Sequence, residues 1–306
     1  MRALVADPSA SPALALADVP EPTAGPGELL VRVEAASINR GEVRTAARQP
    51  AGKVIGWDVA GTVEAVGPAV TWFKPGDKVY GYIRRHHLQY GTYAEYTTAP
   101  EGFFAHMPPE LSFEEAAALP LVALTAHQSL EALGLRGGES LFVGGGSGGV
   151  GHVAIQLAVA RGARVVATAS ERNHDFLRDL GAEPLDYGAD DLPARVRDLL
   201  ADSGTDAAFD LFGGDAREQA FASLRPGGRL VSIARPPPAP RNGHHEVSYI
   251  FVRPSGYDLG EHITPLIGEG GLRPTVADTF PLERAADAHE RIEEGHVRGK
   301  LVLTID

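Results

Sequence analysis

Residues 144–151 read Gly-Gly-Gly-Ser-Gly-Gly-Val-Gly, a composition suited to binding phosphate. A short apolar segment, residues 140–143, precedes them, and an apolar helical pattern over residues 150–160 follows. In a strand–turn–helix unit, glycines let the backbone approach a pyrophosphate, whose charge is stabilised at the N-terminus of the helix. A plain glycine-rich turn is the alternative, but it does not require a strand and a helix in this order. We therefore predict a dinucleotide site here.

The spacing of these glycines agrees with the dinucleotide fingerprint in one of two frames. Gly146, Gly148 and Gly151 have the standard spacing Gly-x-Gly-x-x-Gly. The frame that begins at Gly145 departs from that spacing, although its physical effect is the same. In both frames the backbone of the turn is open to phosphate.

The next strand discriminates between the two nicotinamide dinucleotides. A site for NAD usually ends this strand with an acid that binds the ribose 2′-hydroxyl. Here the strand 165–170 ends on Ala169 and Ser170, and Glu171 and Arg172 follow. The Ser170 hydroxyl and the Arg172 guanidinium suit a 2′-phosphate, which is anionic and accepts hydrogen bonds. We therefore expect NADPH as the cofactor and expect Glu171 to point to solvent.

The elements that position these residues follow two patterns. Residues 1–100 contain short segments of alternating polarity separated by Gly-Pro turns, which predict an antiparallel, barrel-like domain. From about Glu114, apolar strands alternate with helical segments, which predicts a parallel, doubly wound sheet. The last apolar segment, residues 300–305, is predicted to be a strand that returns to the N-terminal domain.

Four individual elements are predicted from the same patterns. Strands are expected over residues 92–98 and 209–212 because both segments are rich in apolar or β-branched residues. Helices are expected over residues 114–133 and 259–267, where apolar residues recur at helical spacing.

Charge and cysteine content exclude several classes of function. The chain has 28 Lys and Arg against 40 Asp and Glu, a net charge of −12. This argues against nucleic acid or an anionic membrane as a partner, because both attract a basic face. The absence of cysteine excludes disulfides, thiolate catalysis and Cys-type zinc sites. No stretch approaches the ~20 apolar residues of a membrane span, so we expect a soluble, cytoplasmic protein.

Several stretches occur in the order found in a known enzyme family. They are residues 36–41 (Ala-Ser-Ile-Asn-Arg-Gly), 56–63 (Gly-Trp-Asp-Val-Ala-Gly-Thr-Val), 75–79 (Pro-Gly-Asp-Lys-Val), 91–96 (Gly-Thr-Tyr-Ala-Glu-Tyr), 116–120 (Ala-Ala-Ala-Leu-Pro), 124–126 (Leu-Thr-Ala), 144–151 and 299–303 (Gly-Lys-Leu-Val-Leu). On these motifs the chain resembles the medium-chain dehydrogenase/reductase superfamily, and within it the zinc-free quinone oxidoreductase (zeta-crystallin-like) group.

The resemblance implies an α/β fold with two domains. A GroES-like β-barrel catalytic domain is expected from residues 1–117, completed by a return segment, residues 257–306. A Rossmann domain with a doubly wound parallel sheet, residues 118–256, is expected to bind NADPH.

The residues at the family's zinc positions indicate that no metal is bound. Zinc alcohol dehydrogenases of this superfamily use a Cys near position 38 and a Gly-His-Glu segment, whereas this chain has Ile38-Asn39 and Gly56-Trp57-Asp58. Two adjacent histidine pairs, residues 86–87 and 244–245, lack the usual spacing of metal ligands. Without a Lewis acid, the substrate must accept hydride readily, as quinones and α,β-unsaturated carbonyl compounds do.

The resemblance also assigns roles to individual residues. Asn39 is expected near the nicotinamide ribose and Thr125 near the carboxamide, as the catalytic residues. Lys300 is expected to reach the cofactor from the Gly-Lys motif. The remaining expected cofactor-binding residues are Gly145, Gly148, Gly149, Val150 and Gly151 at the pyrophosphate, Ser170, Arg172 and Tyr187 at the 2′-phosphate, and Phe212, Ile233, Ala234, Phe251 and Val252 along the path from adenosine to nicotinamide.

The chain departs from the family at one place. Many quinone oxidoreductases carry a cleft-facing Tyr shortly after the Asn, whereas residues 40–53 contain none, so a phenolic proton donor from this segment is absent.

The expected function is zinc-independent, NADPH-dependent hydride transfer to a small quinone or α,β-unsaturated carbonyl compound. Two alternatives remain, an enoyl-thioester reductase and a weakly catalytic NADPH-binding sensor or structural protein. A homodimer is expected, because residues 246–252 form an apolar, β-rich segment late in the Rossmann domain and relatives pair the equivalent strand across a two-fold axis.

Overall fold

The structure is a computed structural model that describes residues 1–84, 90–200, 203–236, 239 and 246–305. The two histidine pairs of the sequence analysis lie outside the described residues. Within the described part of the chain, no helix is both long enough and apolar enough to span a membrane.

Strands and helices alternate with short turns along the chain. The strands of the described residues are β1 (Arg2–Ala6), β2 (Leu14–Asp18), β3 (Glu28–Ser37), β4 (Asp58–Val66), β5 (Lys78–Tyr82), β6 (Tyr96–Pro100), β7 (Phe104–His106), β8 (Ser140–Val143), β9 (Arg164–Ala169), β10 (Ala182–Asp186), β11 (Thr205–Asp210), β12 (Leu224–Ser232), β13 (Glu246–Tyr249), β14 (Val276–Pro281) and β15 (Lys300–Thr304). The α-helices are α1 (Arg40–Ala46), α2 (Phe113–Ala117), α3 (Pro120–Leu133), α4 (Gly149–Ala160), α5 (His174–Asp179), α6 (Leu192–Leu199), α7 (Gly214–Ser223), α8 (Gly256–Asp258), α9 (Thr264–Gly268) and α10 (Ala285–Glu294).

The chain divides into two compact units. The first comprises Met1–Leu124 and Arg253–Asp306, and the second comprises Thr125–Val252. The chain leaves the first unit and returns to it, and its last strand joins the sheet of that unit. Strand β15 pairs antiparallel with β3 and places Val302 opposite Ser37.

The first unit contains a mainly antiparallel sheet of seven strands. Its order is β14-β15-β3-β4-β5-β7, with β6 also paired to β3. Residues of β3 alternate between buried and more exposed positions, so one face of the strand packs on the core. Apolar side chains from β3, β4 and β15, such as Val31, Val59 and Leu303, meet in that core.

The second unit contains a parallel sheet of six strands in the order β10-β9-β8-β11-β12-β13. Every residue of β8 is buried, as expected for a parallel strand that is covered on both faces. Its core includes Phe142, Val166 and Leu230, together with Leu192 and Val196 from α6. This sheet confirms the predicted doubly wound arrangement.

Two of the predicted strands, over residues 92–98 and 209–212, have different ends in the structure, and a specific contact explains each difference. The strand predicted over residues 92–98 begins only at Tyr96, because the backbone of Tyr93 bonds to Ile55 and Leu4 outside the main ladder. The strand predicted over residues 209–212 ends at Asp210, whose carboxylate accepts hydrogen bonds from the next turn.

Two of the predicted helices contain a proline and are not continuous α-helices. The segment 114–133 forms α2 and α3, which are separate because Pro120 has no N–H to continue a helix but suits the first helical position. The segment 259–267 is π-helical at Leu259–Ile263 and α-helical from Thr264, with Pro265 in the first turn of α9.

Candidate active site

Six parallel strands bring the predicted cofactor residues of the second unit to one edge of its sheet. Ligands of open parallel sheets bind at the carboxyl ends of the strands. The residues that follow those ends are Tyr187 after β10, Ser170 and Arg172 after β9, the glycine run after β8, Phe212 after β11, Ile233 and Ala234 after β12, and Phe251 and Val252 after β13. The register places Asp186 beside Ala169, so Tyr187 and Ser170 follow adjacent positions.

The glycine run exposes backbone rather than side chains, as a dinucleotide site requires. At two of its positions a side chain would overlap neighbouring protein atoms. Gly145 has a φ of +82°, and a Cβ there would overlap the ring of Phe212. A Cβ on Gly151 would overlap the carbonyl oxygen of Gly145. Gly148 is different, because a Cβ there would meet only that carbonyl, at 3.5 Å. Since Gly148 is the N-cap of the 12-residue helix α4, it leaves open the place where helix amides bind phosphate.

The end of β9 is tied to the glycine run by a residue that the sequence analysis did not identify. The Asn173 amide Nδ2 donates to the hydroxyl of Ser170 over 3.2 Å and to that of Ser147 over 3.4 Å. Glu171 and Arg172 are both exposed. This edge therefore offers hydroxyl groups and a guanidinium but no buried acid at the place where a ribose phosphate is expected.

A buried ion pair holds the turn that follows β11. Arg217, which is 8 % exposed, donates from Nε to Oδ2 of Asp210 over 2.6 Å. The other oxygen of Asp210, Oδ1, accepts from the backbone N–H groups of Phe212 and Gly213 at 3.0 and 2.7 Å. The Phe212 ring packs on Gly145 while remaining 59 % exposed. Asp210 thus positions an exposed aromatic ring beside the glycine run.

The same guanidinium also holds the turn that follows β12. Arg217 donates from Nη2 to the carbonyl of Ala234 over 2.9 Å and from Nη1 to that of Pro236 over 2.9 Å. Ser232 donates to Oδ2 of Asp210 over 2.7 Å. One arginine therefore links two turns that carry predicted cofactor residues.

The first unit contains a buried polar network around two other predicted residues, Asn39 and Lys300. The Lys300 ammonium donates to the carbonyl of Ile38 over 2.8 Å and to Oδ1 of Asn39 over 2.5 Å. The Asn39 amide donates to Oδ2 of Asp58 over 2.8 Å. Burial raises the pKa of Asp58 and lowers the pKa of Lys300, and the attraction between the two charges opposes both shifts. Asp58 is surrounded by donors and Lys300 by acceptors, and these hydrogen bonds favour the ionised form of both groups.

A second carboxyl group, Glu42, lies next to this network. Its Oε2 accepts from the backbone N–H of Asn39 over 2.6 Å and from the Tyr93 hydroxyl over 2.7 Å. Its Oε1 is buried without a hydrogen-bond partner among the described residues. Burial, and then the charge of Asp58, raise the pKa of Glu42 to about 8. Glu42 is therefore mainly protonated at neutral pH.

Comparison with known proteins relates this architecture to one enzyme family. Residues 25–109 match the family model of the alcohol dehydrogenase GroES-like domain, and residues 180–303 match that of zinc-binding dehydrogenases. The 2-methylene-furan-3-one reductase of Solanum lycopersicum is 34 % identical over 296 residues, which cover 90 % of this chain and 71 % of that protein. The chloroplastic NADPH-dependent alkenal/one oxidoreductase of Arabidopsis thaliana is 34 % identical, with 90 % and 72 % covered.

A solved structure agrees over the full length. The quinone oxidoreductase from Coxiella burnetii superposes with a TM-score of 0.86 at 33 % identity, covering 100 % of this chain and 99 % of that one. The chain belongs to the quinone oxidoreductase group of the medium-chain dehydrogenase/reductase superfamily. As a member of this oxidoreductase superfamily, it has the predicted fold class, a GroES-like domain with a Rossmann-type sheet.

In this quinone oxidoreductase, the residues at the family's zinc positions do not fit a zinc ion. Besides Asn39, the Asp58 carboxylate accepts from the Ser37 hydroxyl and from the backbone N–H of Leu121, each over 2.8 Å. The Lys300 ammonium, itself a cation, lies 3.8 Å from Oδ2. Zinc is bound by thiolate, imidazole and carboxylate, and an ammonium repels it. The match to the zinc-binding dehydrogenase model does not include Asn39 or Asp58. That the protein needs no metal stays a prediction.

The predicted site residues fall in both units of this family member. Asn39 and Lys300 lie together in the first unit, whereas Thr125 is buried in α3 and belongs to the second unit. Lys300 is 4 % exposed, so it is not a surface residue of its strand.

The main residues of these networks that the sequence analysis gave no role are Glu42, Asp58, Asn173, Asp210 and Arg217. Asp58 was considered only as the replacement of a zinc ligand, and Asp210 only as part of a predicted strand. The other three occur in segments whose polarity suggests exposure, so their sequence context offered no signal.

Proposed function

We propose that this protein is a zinc-independent oxidoreductase that uses NADPH to reduce a quinone or an α,β-unsaturated carbonyl compound. The observation that carries the proposal is the network of Lys300, Asn39 and Asp58, because it fills the zinc positions of the superfamily with an internally satisfied ion pair. A substrate reduced without a Lewis acid must already be electrophilic. The names of the two plant reductases and the Coxiella enzyme support this substrate class.

The proposed cofactor site lies at the carboxyl edge of the second unit. NADPH, when bound, supplies a hydride from its nicotinamide ring. The open backbone at Gly148 and the N-terminus of α4 bind the pyrophosphate. Ser170 and Arg172 bind the 2′-phosphate, and Asn173 orients the Ser170 hydroxyl. The turn at Phe212, held by Asp210, lines the path toward the nicotinamide.

The buried network of the first unit holds the Asn39 side chain in place. Lys300 and Asp58 together fix both ends of the Asn39 amide, so this side chain keeps one orientation. We assign Asn39 to the nicotinamide ribose and Thr125 to the carboxamide. Preorganised polar groups of this kind lower the barrier because they need not rearrange as charge moves to the substrate oxygen.

The test is NADPH oxidation by the purified protein with three acceptors, namely a small quinone, an enone and an enoyl-CoA. We expect turnover of the quinone and the enone, unchanged after dialysis against a chelator. Turnover of the enoyl-CoA alone would favour a thioester reductase. NADPH binding without turnover of any acceptor would favour a sensor or structural protein. Loss of activity on chelation, with one zinc per chain, would contradict zinc independence.

A glycine variant connects the activity to the proposed cofactor site. Gly148→Val should fold, because Gly148 has a φ of −79° and space for a side chain, but should lose NADPH binding because the side chain fills the phosphate position. The control is Gly102→Val in the first unit, where a Cβ would meet no atom within 4 Å. Equal NADPH affinity of both variants would contradict the assignment.

A further inference from the structure

Two serine hydroxyls share one amide nitrogen at the carboxyl edge of the second unit. Nδ2 of Asn173 lies 3.4 Å from Oγ of Ser147 and 3.2 Å from Oγ of Ser170. Ser147 belongs to the glycine run after β8, whereas Ser170 follows β9. The amide therefore joins the turns after two adjacent parallel strands, at the edge where such sheets bind dinucleotides.

Backbone contacts hold these two turns together independently of that amide. Thr168, near the end of β9, accepts the N–H of Gly146 on its carbonyl oxygen over 2.7 Å. Its hydroxyl accepts the N–H of Gly145 over 2.9 Å. The glycine run thus stays beside the end of β9 when a side chain at the contact is changed, so variants at Ser147 and Asn173 should fold.

Both hydroxyls retain a hydrogen to donate. The nitrogen of a side-chain amide carries two hydrogens and can only donate, so each serine oxygen accepts one of them. Among the described residues, neither Ser147 nor Ser170 donates its hydroxyl hydrogen to an acceptor. Phosphate oxygens are strong acceptors for such hydrogens. Two O–H groups oriented by one amide are therefore suited to bind a single phosphate group.

The charged side chains around this edge leave the two hydroxyls available to an anion. Glu171 is exposed, Asp175 pairs with Arg178 over 2.6 Å, and Asp186 accepts a backbone N–H of the turn that follows it. Arg172, which is exposed, forms no ion pair within the described part of the chain. An anion here would meet two hydroxyls and a guanidinium.

We propose that Ser147 is a further specificity-determining residue, whose hydroxyl binds the 2′-phosphate of NADPH together with that of Ser170. Asn173 is the positioning residue, because it fixes the direction in which both hydroxyls donate. The inference rests on the proposed function and deepens it, since it assigns recognition of the 2′-phosphate to the turns after both β8 and β9. NADH, which lacks this phosphate, gains nothing from the two hydroxyls.

The first test is the ratio of the dissociation constants for NADH and NADPH, in which effects common to both cofactors cancel. Ser147→Ala removes one charge-assisted hydrogen bond, so it should weaken NADPH binding about tenfold and leave NADH binding unchanged. The matched control is Ser203→Ala, because Ser203 donates to the carbonyl of Leu200 and precedes β11 at the opposite edge of the sheet. It should change neither constant. Equal weakening of both cofactors by Ser147→Ala would overturn the inference, because Ser147 would then serve a phosphate that both contain.

Asn173→Asp tests the direction of the hydrogen bonds at nearly constant shape. A carboxylate can only accept, so it should draw both hydroxyl hydrogens toward itself and place a negative charge beside the phosphate. We expect NADPH to bind about a hundredfold more weakly, with NADH binding unchanged. An unchanged NADPH affinity would show that the hydroxyls do not donate to the 2′-phosphate.

Calorimetry with adenosine 2′,5′-bisphosphate separates this inference from the proposed function, because binding of this ligand needs no hydride acceptor. We expect it to bind the wild-type protein and Ser203→Ala equally, and Ser147→Ala about tenfold more weakly. Such a loss, without turnover of any acceptor by the wild-type protein, would support the inference and contradict the proposed function. NADPH-dependent turnover together with equal affinity of wild type and Ser147→Ala for the bisphosphate would overturn the inference alone.

Discussion

The ammonium of Lys300 and the carboxylate of Asp58 lie 3.8 Å apart in the core of the first unit, and the amide of Asn39 bonds to both. Their side chains are 4 % and 0 % exposed. Two opposite charges in such a place compensate each other, whereas either one alone is left without a counter-charge. The pair therefore has consequences for stability as well as for the orientation of Asn39.

We predict that Lys300→Met and Asp58→Asn each lower the free energy of unfolding by about 3–5 kcal/mol, because each leaves one buried charge unpaired. The double variant should lose less than the sum of the two single variants. Urea unfolding measures these changes. The control is Lys74, an exposed cation paired with the half-buried Asp77, since Lys74→Met should change stability by less than about 1 kcal/mol. Additive losses in the double variant would show that the two charges do not interact.

Glu42 should make stability depend on pH in a defined direction. Its pKa is raised from 4.5 to about 8 by burial, so the folded state holds a proton that the unfolded state releases. Stability from this group is fully present below pH 4.5 and is lost as pH rises through about 8. Glu42→Gln, which cannot titrate, should remove this dependence. Thermal unfolding of both proteins at several pH values measures the difference.

Relative to the glutamine variant, the wild-type protein should therefore be less stable at high pH than at low pH. The comparison of the two proteins cancels other titrating groups, including His289, whose pKa burial lowers to about 4. A difference between the two proteins that stays constant across this range would show that Glu42 has an ordinary pKa.

Cofactor preference should depend on Arg172 and Ala169. Arg172→Ala removes a charge-assisted bond to the 2′-phosphate, so it should weaken NADPH binding by roughly 10- to 150-fold and leave NADH binding nearly unchanged. Ala169→Asp should move preference toward NADH, because it adds an acceptor for the ribose hydroxyls. Dissociation constants for both cofactors measure this. Equal weakening of both by Arg172→Ala would assign the residue a structural role, and a wild-type preference for NADH would contradict the NADPH assignment.

Arg217 is predicted to be a positioning residue for one end of the cofactor. Arg217→Met should release the turns after β11 and β12 and weaken NADPH binding by about tenfold. Binding of adenosine 2′,5′-bisphosphate, which lacks the nicotinamide half, should be unaffected. The control is Arg225→Met, because Arg225 pairs with Asp206 at 2.7 Å at the opposite end of the same strands. Loss of both ligands in Arg217→Met would indicate general unfolding of the second unit instead.

The homodimer prediction concerns strand β13, which lies at the edge of the six-stranded sheet in the described part of the chain. Ile250 donates its N–H to Ser232 of β12, so by alternation the N–H of Tyr249 points away from β12. Tyr249→Pro should therefore abolish pairing between two copies, whereas Tyr249→Ala should retain it. Light scattering measures the mass, expected at about twice 32.3 kDa for the wild type. A wild-type mass near 32.3 kDa at high concentration would contradict the dimer.

The strand, the glycine-rich turn and the helix of the proposed dinucleotide site could be predicted from sequence because their determinants are local. The glycines of residues 144–151 lie between a strand and a helix whose periodicities are readable, and parallel strands necessarily end at one edge. Ser170 was predicted from the end of its strand by this reasoning, whereas Phe212 and Ala234 were predicted from the family resemblance. Elements interrupted by a single proline or a capping carboxylate, as at Pro120 and Asp210, were predicted less accurately because one contact decides where they end.

The contacts of the buried charged residues could be established only from the tertiary structure. Lys300 and Asn39 are 261 positions apart, and their contact exists because β15 pairs with β3. Arg217 has a polar neighbourhood in sequence and is nevertheless buried by the two turns that it binds. Periodicity and spacing report which face of an element is apolar, but not which distant segment covers it. The protonation of Glu42 and the orientation of Asn39 both depend on that covering, because burial sets the energy of a charge.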